Sequence, residues 1–543
     1  MRLAEPTPPA LPRGTSGIFL CLTLALGGAI QAYVQWRVQR LTAFGLPIDD
    51  TYIHLNFARN LMRGLGLVYN PGQPVAGTTS PGWVLFLAAS AIREQWLVRM
   101  AVVWSSFFYA ATACMAWWMG RRLGLRPMAA GMGAILVLLN GRMIWAGASG
   151  MEIPAAACAT LAAVYLHVGD REHGQGMQPL TALLLGIAST LRPEVYLLFA
   201  LCAADHVLAF DPATKQFRID WRKVLSRRAL GAYGVFALCI TPYILFCLFT
   251  NGHPFPNTYY AKMNPAFHIP PLSYLRRIAL AHTDDFTGVF FLFLPVGIVA
   301  QMMAAYGNGA FEARLRHARM LWLWPIIFAF WNTLSNPSNL PHMERYITPL
   351  LPFSIVLASI GMHTVMTAAN TIYRHSLGIF ASFLSISLFC LGILNIHRWA
   401  GATAITVENI NEQQVKMGRW LHDHTPRQSV IALHDAGAIA FYSQRRVIDF
   451  LGLVSTDCMR MIEEVTAKGE SAIAAPEIAA HVIEQRPDYL VSFPQWQAIT
   501  QAQPDVFTPM FSASVKVNAI SGGDKLVCWK ADWSRYKDSA SPK

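Results

Sequence analysis

Runs of roughly twenty apolar residues, the length that crosses a bilayer, recur along the chain and begin near Gly17, Leu97, Met128, Glu152, Leu230, Phe286, Met320, Tyr346 and His375. Two further segments need an argument. Pro81 to Ile92 is about a dozen residues long, too short to cross, and is expected to lie along the interface. Leu180 to Phe210 is longer than one helix needs and is broken by Arg192-Pro193-Glu194. A hairpin of two helices turning outside keeps those charges from the bilayer centre, where each costs around 2.5–3.5 kcal/mol on insertion scales. The pattern predicts a polytopic α-helical membrane protein of about eleven transmembrane helices.

From Trp399 onward the pattern is that of a soluble domain. Ser429 to Leu433 and Tyr489 to Ser492 read as strands, and Val407 to His422 and Pro476 to Gln485 as helices. Val515 to Lys530 reads as a hairpin turning at Ser521-Gly522-Gly523. The expected organisation is a membrane domain over 1–398, with a first outer loop at 37–96, and a small α/β domain over 399–543.

Composition agrees with the pattern. The 543 residues are 54% hydrophobic and 14% charged, with a mean hydropathy of +0.34, which excludes an ordinary soluble protein. The net charge of +12 would suggest nucleic acid in a soluble chain. Here the basic residues fall in short loops, at Arg121/Arg122/Arg126, Lys215 to Arg228 and Arg314/Arg316/Arg319, all on one side of the predicted topology. By the positive-inside rule that side is the cytoplasm, and no nucleic-acid partner is expected. The other side then receives 37–96, 147–151, the Arg192 tip, 251–285, 336–345 and everything after about 397. Of nine cysteines, only Cys458 and Cys528 lie in the polar C-terminal region, where they could pair if it is extracytoplasmic. The apolar run from Gly17 lacks a convincing cleavage site and is expected to be a retained helix. There is no Gly-x-Ser-x-Gly elbow, His-Glu-x-x-His helix or phosphate-binding loop.

The chemistry gathers on the outer side. Asp49 and Asp50 stand side by side where the chain leaves its first span. Neighbouring carboxylates repel, which raises at least one pKa unless a cation intervenes, so one of them is a candidate base. The structural alternative is a cap on the following helix, Tyr52 to Arg63. Two hard oxygen ligands could also hold a divalent cation, although two carboxylates alone make a weak site. Lys262, Arg345, His342 and Arg192 also fall on this side, and the residues alone read as a snorkelling lysine, an interfacial Arg-Tyr anchor and a local Arg192–Glu194 pair. In the outer domain, His434-Asp435 reads as a helix cap in preference to a catalytic pair.

The stretch Asp49-Asp50-Thr51-Tyr52-Ile53-His54-Leu55-Asn56-Phe57-Ala58-Arg59, with Gly64-Leu65-Gly66-Leu67-Val68-Tyr69-Asn70-Pro71-Gly72 and Gly77-Thr78-Thr79-Ser80-Pro81-Gly82-Trp83, resembles the first outer loop of GT-C glycosyltransferases. The likeness is nearest to bacterial enzymes related to mycobacterial terminal arabinofuranosyltransferases. Further blocks resemble the same group: Ser149-Gly150-Met151-Glu152, Leu191-Arg192-Pro193-Glu194, Gly252 to Lys262, His342 to Tyr346, and Leu433 to Val454. The resemblance implies a polyprenyl-phosphate sugar donor and a cell-envelope glycan, lipid or protein acceptor at the outer face of the bacterial inner membrane. It implies Asp49 or Asp50 as base, Lys262, Arg345, His342 and Arg192 at the donor phosphate, and Glu152, Glu194, His253, Asn257, Tyr259, Tyr260, His54 and Arg59 as substrate contacts. One departure stands out: the position before Gly77, expected to be acidic, is Ala76. A transporter or a non-catalytic envelope-assembly protein is the alternative.

Overall fold

The first apolar run forms a 27-residue helix, Thr15–Leu41, long enough at 1.5 Å per residue to cross hydrocarbon. The structure is a computed structural model and describes residues 15–174, 176–211, 216–219, 221–262, 268–307, 309–335, 342–372, 376–468, 475–496 and 498–536. Among these, five helices have the length and hydropathy of a span: Gly17–Leu41, Glu94–Arg122, Ile153–Glu172, Arg227–Asn251 and His342–Ala369. Two bent pairs raise the number to seven at most. The chain is a multi-pass membrane protein, with fewer full-length spans among the described residues than the apolar runs suggest.

The shortfall has local causes. The run beginning near Met128 breaks at Asn140, whose side chain accepts from the Met143 amide and starts a second helix, Gly141–Ala148, bent by 56°. The run near Phe286 opens as a tight 3₁₀ turn, Phe286–Phe293. The segment broken by Arg192-Pro193-Glu194 forms two packed helices of 13 residues, Pro179–Leu191 and Val195–Val207. Pro81–Ser90 is a helix of ten residues, too short to cross, with Leu85 and neighbouring Ile92 exposed. The starting point near His375 and the residue Lys215 lie outside the described residues.

The basic loops converge at one end. Arg121, Arg122, Arg314 and His317 border a common cavity with Glu172, and Asp205 is paired with Arg319 at 2.5 Å and His167 at 2.8 Å.

At the opposite end, helix Ser376–Ile410 runs through Trp399 without a break and continues as a wide turn, Asn411–Val415, into Lys416–His424. The expected helix Val407 to His422 is the outer end of this rod. Beyond it stand five strands in the order Arg446–Asp449, Val430–Leu433, Tyr489–Ser492, Lys525–Ala531, Phe507–Ser514. The first three are parallel, and Lys525–Ala531 runs antiparallel to both its neighbours. The terminal hairpin pairs Ser514 with Lys525, so its first arm precedes the expected Val515 and its loop is longer. Cys458 and Cys528 are buried and free.

The first outer loop packs as part of this outer layer. Helix Asp50–Met62 and the short strand Val68–Asn70 contribute Tyr52, Leu55, Phe57 and Tyr69 to one apolar cluster with Ile431, Leu433, Val447 and Val491 of the sheet. Polar clamps fix the register. Asn70 donates to the Val447 carbonyl at 2.9 Å and accepts from its amide at 3.0 Å, which occupies the edge strand as a pairing strand would. Arg59 donates to the Phe441 carbonyl at 2.6 Å.

Asn70→Ala strands both Val447 backbone groups in a buried place and is expected to cost about 1–3 kcal/mol of stability. Thermal unfolding of the detergent-solubilised protein checks this; an unchanged midpoint would show that the clamp is idle.

Candidate active site

The two aspartates are adjacent in the chain and opposite in role. Asp49 does not cap its own helix. Its carboxylate reaches across to the outer domain and accepts from the amides of Gly437 at 2.8 Å and Ala438 at 2.7 Å. These are the free donors at the start of helix Ala438–Ser443. A side chain at Gly437 would collide with Asp49 itself. Asp435, expected as that cap, instead accepts from Gln414 Nε2 at 2.8 Å. Burial and the nearby Asp435 push the Asp49 carboxyl well above its ordinary value, against the pull of the two amides.

Asp50 faces the other way. Its Oδ2 accepts from Arg345 Nη2 at 2.7 Å and from Lys262 Nζ at 3.2 Å. Burial alone would raise its pKa, but Arg345 and Lys262 outweigh burial and hold the carboxyl well below its ordinary value. Lys262 responds in kind: burial opposes its charge, and Asp50 with Tyr346 holds it above the ordinary value. The Tyr346 hydroxyl bridges the cations, accepting from Arg345 Nη2 at 3.1 Å and Lys262 Nζ at 3.3 Å.

Backbone strain delivers Arg345. His342, Met343 and Glu344 all have positive φ, at 32°, 55° and 56°, a conformation that costs non-glycine residues of order 1–3 kcal/mol each. Arg277 grips both oxygens of Glu344 at 3.0 and 3.1 Å and helps to hold the turn. Arg345 emerges from it only 2% exposed.

A second set of charges lies beside the first. Arg192, at the hairpin tip, donates to Glu152 at 3.0 Å and Glu194 at 3.1 Å, and stands over the Tyr346 ring at 5.5 Å. His54 meets Thr78 Oγ1 at 2.9 Å and Glu152 at 3.7 Å. Burial lowers the His54 pKa against the pull of Glu152 and Asp50.

These groups border a cavity of about 460 Å³. Asp50, His54, Glu152, Arg192, Glu194, Tyr259, Lys262 and Arg345 line it, and Leu197, Phe255, Phe328 and Trp331 form an apolar wall. Other candidates turn elsewhere. Asn257 bonds to Asn251 at 2.9 Å and Thr456 at 3.2 Å, and His253 pairs with Glu463 of the outer domain at 3.4 Å. Tyr260 packs on His253, and Arg59 is spent on Phe441 and Asn56. These residues tie the loops together. His342 borders a second cavity, which Asp50 also lines. Ala76 is fully buried, and its carbonyl accepts from the Asn257 amide at 2.8 Å, so this position supports a loop contact. The sequence reading missed Tyr346 as a site residue, although it stands beside Arg345.

A divalent cation does not fit the aspartate pair. One carboxylate is held by two amides and the other by two cations. Among the described residues no group of three or more His, Cys, Asp or Glu side chains could hold a metal ion.

Comparison with known proteins places this geometry in a fold. Residues 408–533 match a family described as a domain of unknown function, DUF8728. No curated protein matches the chain. Among solved structures, the chain is similar to the oligosaccharyltransferase of Archaeoglobus fulgidus in its apo form, with a TM-score of 0.60 at 13% identity over 94% of this chain and 75% of that one. It is also similar to ArnT from Cupriavidus metallidurans. The apo state gives a TM-score of 0.54 at 13% identity over 97% of this chain and 99% of that one. The form bound to undecaprenyl phosphate gives 0.55 at 13% identity over 97% and 100%. The chain has the GT-C fold. The likeness spans both the membrane helices and the outer domain.

Asp49→Ala is expected to cost about 0.5–2 kcal/mol through the lost cap, and Asp49→Asn much less, because an amide oxygen still accepts. Unfolding midpoints of the two variants check this; equal losses would show that the charge, and not the hydrogen bonds, stabilises the junction.

Proposed function

We propose that this chain is a membrane glycosyltransferase that moves a sugar from a polyprenyl-phosphate donor to an acceptor hydroxyl at the outer face of the bacterial cytoplasmic membrane. One observation carries the reading: a carboxylate and two cations meet in the lining of a cavity that Leu197, Phe255, Phe328 and Trp331 also line. An amphiphile with a phosphate between a polar head and a hydrocarbon tail suits such a cavity. The form of ArnT bound to undecaprenyl phosphate, in the same fold, supports a lipid phosphate here. The gathering of arginines at the opposite end supports a cytoplasmic placement of that end and an extracytoplasmic outer domain. The short helices and bent pairs then complete a topology of about eleven crossings.

The chemistry follows from the exchange of a counter-ion. In the free enzyme Asp50 neutralises Arg345 and Lys262. The donor phosphate competes for the same two cations, and Arg192 stands beside them with its charge shared between Glu152 and Glu194. As the phosphate takes over, Asp50 loses the partners that depress its pKa and becomes a stronger base. It then accepts the proton of the acceptor hydroxyl while that oxygen bonds to the anomeric carbon. The bond from that carbon to the phosphate oxygen breaks, and its electron pair leaves with the polyprenyl phosphate. A single displacement inverts the anomeric configuration. Arabinofuranose as the sugar rests on the resemblance of the first outer loop, and the acceptor is an envelope glycan, lipid or protein.

The decisive experiment offers labelled polyprenyl-phosphate pentose and hexose to the purified full-length protein together with envelope extract. Asp50→Asn is expected to slow transfer by about 10²- to 10⁴-fold, the usual contribution of a positioned base, while binding of undecaprenyl phosphate persists. Asp49→Asn retains most activity. Undiminished transfer by Asp50→Asn would remove the base and leave a binding or assembly protein as the better reading.

Counter-ion exchange also sets the pH profile. A carboxylate with a depressed pKa is lost only as the pH falls through that low value. The acid limb of kcat/KM, which reports free enzyme, is expected below the ordinary carboxylate value of 3.8. The acid limb of kcat, which reports the donor complex, should lie at higher pH. Coincident limbs would show that Asp50 keeps its cations throughout.

A further inference from the structure

At the end of the molecule opposite the ionic centre, three helices bring their last turns to one open cavity of about 400 Å³. Its lining is almost wholly charged: Arg121 and Arg122 from Leu97–Arg122, Glu172 from Ile153–Glu172, and Arg314 from Ala310–Arg316, with His317 just beyond. Each helix dipole favours a cation at its own last turn, and Arg121 donates to the Leu125 carbonyl. That accounts for each arginine singly and not for their convergence.

Two glycines permit the convergence. Gly124 follows the first of these helices with a φ of 85°, and a Cβ there would lie 2.6 Å from Arg314 Nη1. Gly169 stands in the last turn of Ile153–Glu172, where a Cβ would lie 2.5 Å from Arg122 Nη2, although glycine in a helix costs up to about 1 kcal/mol relative to alanine. The backbone is thinned at both places where a guanidinium approaches.

The charges do not balance. Glu172 pairs with Arg122 at 2.7 Å, and among the described residues neither Arg121 nor Arg314 pairs with a carboxylate. Two buried nitrogens of the lining, Arg122 Nε and His317 Nδ1, have no hydrogen-bond partner, although such atoms nearly always find one. The rings of Trp117 and Tyr165 lie against Arg121 and Arg122, at 5.9 and 4.6 Å. Aromatic rings and arginines at the end of an apolar span set the cavity at the level of the lipid headgroups.

We propose that this cavity binds a doubly charged phosphate, held by Arg121 and Arg314 with Arg122 and His317 beside them. Above its second pKa of about 6 a phosphomonoester carries two negative charges, which matches the two guanidiniums that lack a carboxylate, and its oxygens suit their forked donors. A lipid headgroup of the adjoining leaflet and free phosphate present the same group. The site does not rest on the transferase reading, and its occupant ties the ends of three helices together.

Isothermal titration calorimetry on the full-length protein in neutral detergent at about pH 8, where the phosphomonoester is doubly charged, tests this. The probes are inorganic phosphate, dihexanoyl phosphatidic acid and the singly charged dihexanoyl phosphatidylglycerol. At least one of the first two is expected to bind, and phosphatidylglycerol about tenfold more weakly, the effect of one charge-assisted hydrogen bond. Tighter binding of phosphatidic acid than of inorganic phosphate identifies a lipid headgroup, any other order identifies free phosphate, and both support the site. Arg121→Gln and Arg314→Gln should each weaken binding about tenfold for the same reason, whereas Lys262→Gln, at the opposite end, should leave it unchanged. An unaltered unfolding midpoint without ligand shows that a variant is folded. The two arginines stand on different helices, so if one variant fails to fold the other decides. No binding of either doubly charged probe, equal binding of phosphatidylglycerol, an affinity unchanged in the folded arginine variants, or one lost in Lys262→Gln would overturn the proposal. Sugar transfer is not read in this experiment, so its failure is separate from that of the transferase.

Discussion

A buried arginine cannot stand alone, and the site depends on how this one is neutralised. Arg345 is almost wholly enclosed, and the Asp50 carboxylate and the Tyr346 hydroxyl are among its polar contacts. Removing one partner of such a pair leaves a charge in a place that water does not reach, which is far more costly than an exposed ion pair is worth. The first outer loop, the Gly252 to Lys262 segment and the start of the helix after Glu344 are thereby bound to one another through a single carboxylate oxygen. A phosphate in the same place would meet the same electrostatic requirement. On the proposed reading, the same cations that the free protein must neutralise are the ones that a phosphate would meet.

The strained turn at His342 to Glu344 belongs to the same economy. Three successive left-handed residues would unwind in isolation. The Arg277–Glu344 pair at one end and the Arg345–Asp50 pair at the other hold them. Electrostatic attraction on both sides of the turn offsets its backbone cost and aims the guanidinium into the cavity.

Much of this was legible in the sequence because charge is conspicuous in an apolar chain. Asp50, Lys262, Arg345, Arg192 and Glu152 lie in the short charged segments between apolar runs, and the folded chain brings them to one cavity. The roles of the two aspartates were not legible, because Asp49 is fixed by amides nearly four hundred positions away, at Gly437 and Ala438. No local pattern encodes that contact. Arg59, Asn257 and His253 are the opposite case. As polar residues in distinctive motifs they look functional, yet their partners Phe441, Thr456 and Glu463 all lie in the outer domain, and they work as fasteners between layers. The number of full-length spans is a related case, five to seven among the described residues against about eleven expected crossings. Hydropathy shows how much apolar chain there is, but a bend such as that at Asn140 depends on one side chain turning back to cap a new helix.

The adjacency of Asp49 and Asp50 has a mechanical meaning. One is locked to the outer sheet's first helix and the other is pointed at the membrane-side cations, with a single peptide bond between them. Any tilt of the extramembranous layer must therefore tug on the ionic centre, and the joint has no slack to absorb it. Correct seating of the layer and correct aim of the Asp50 carboxylate become the same event, so a misdocked layer also displaces the ionic centre.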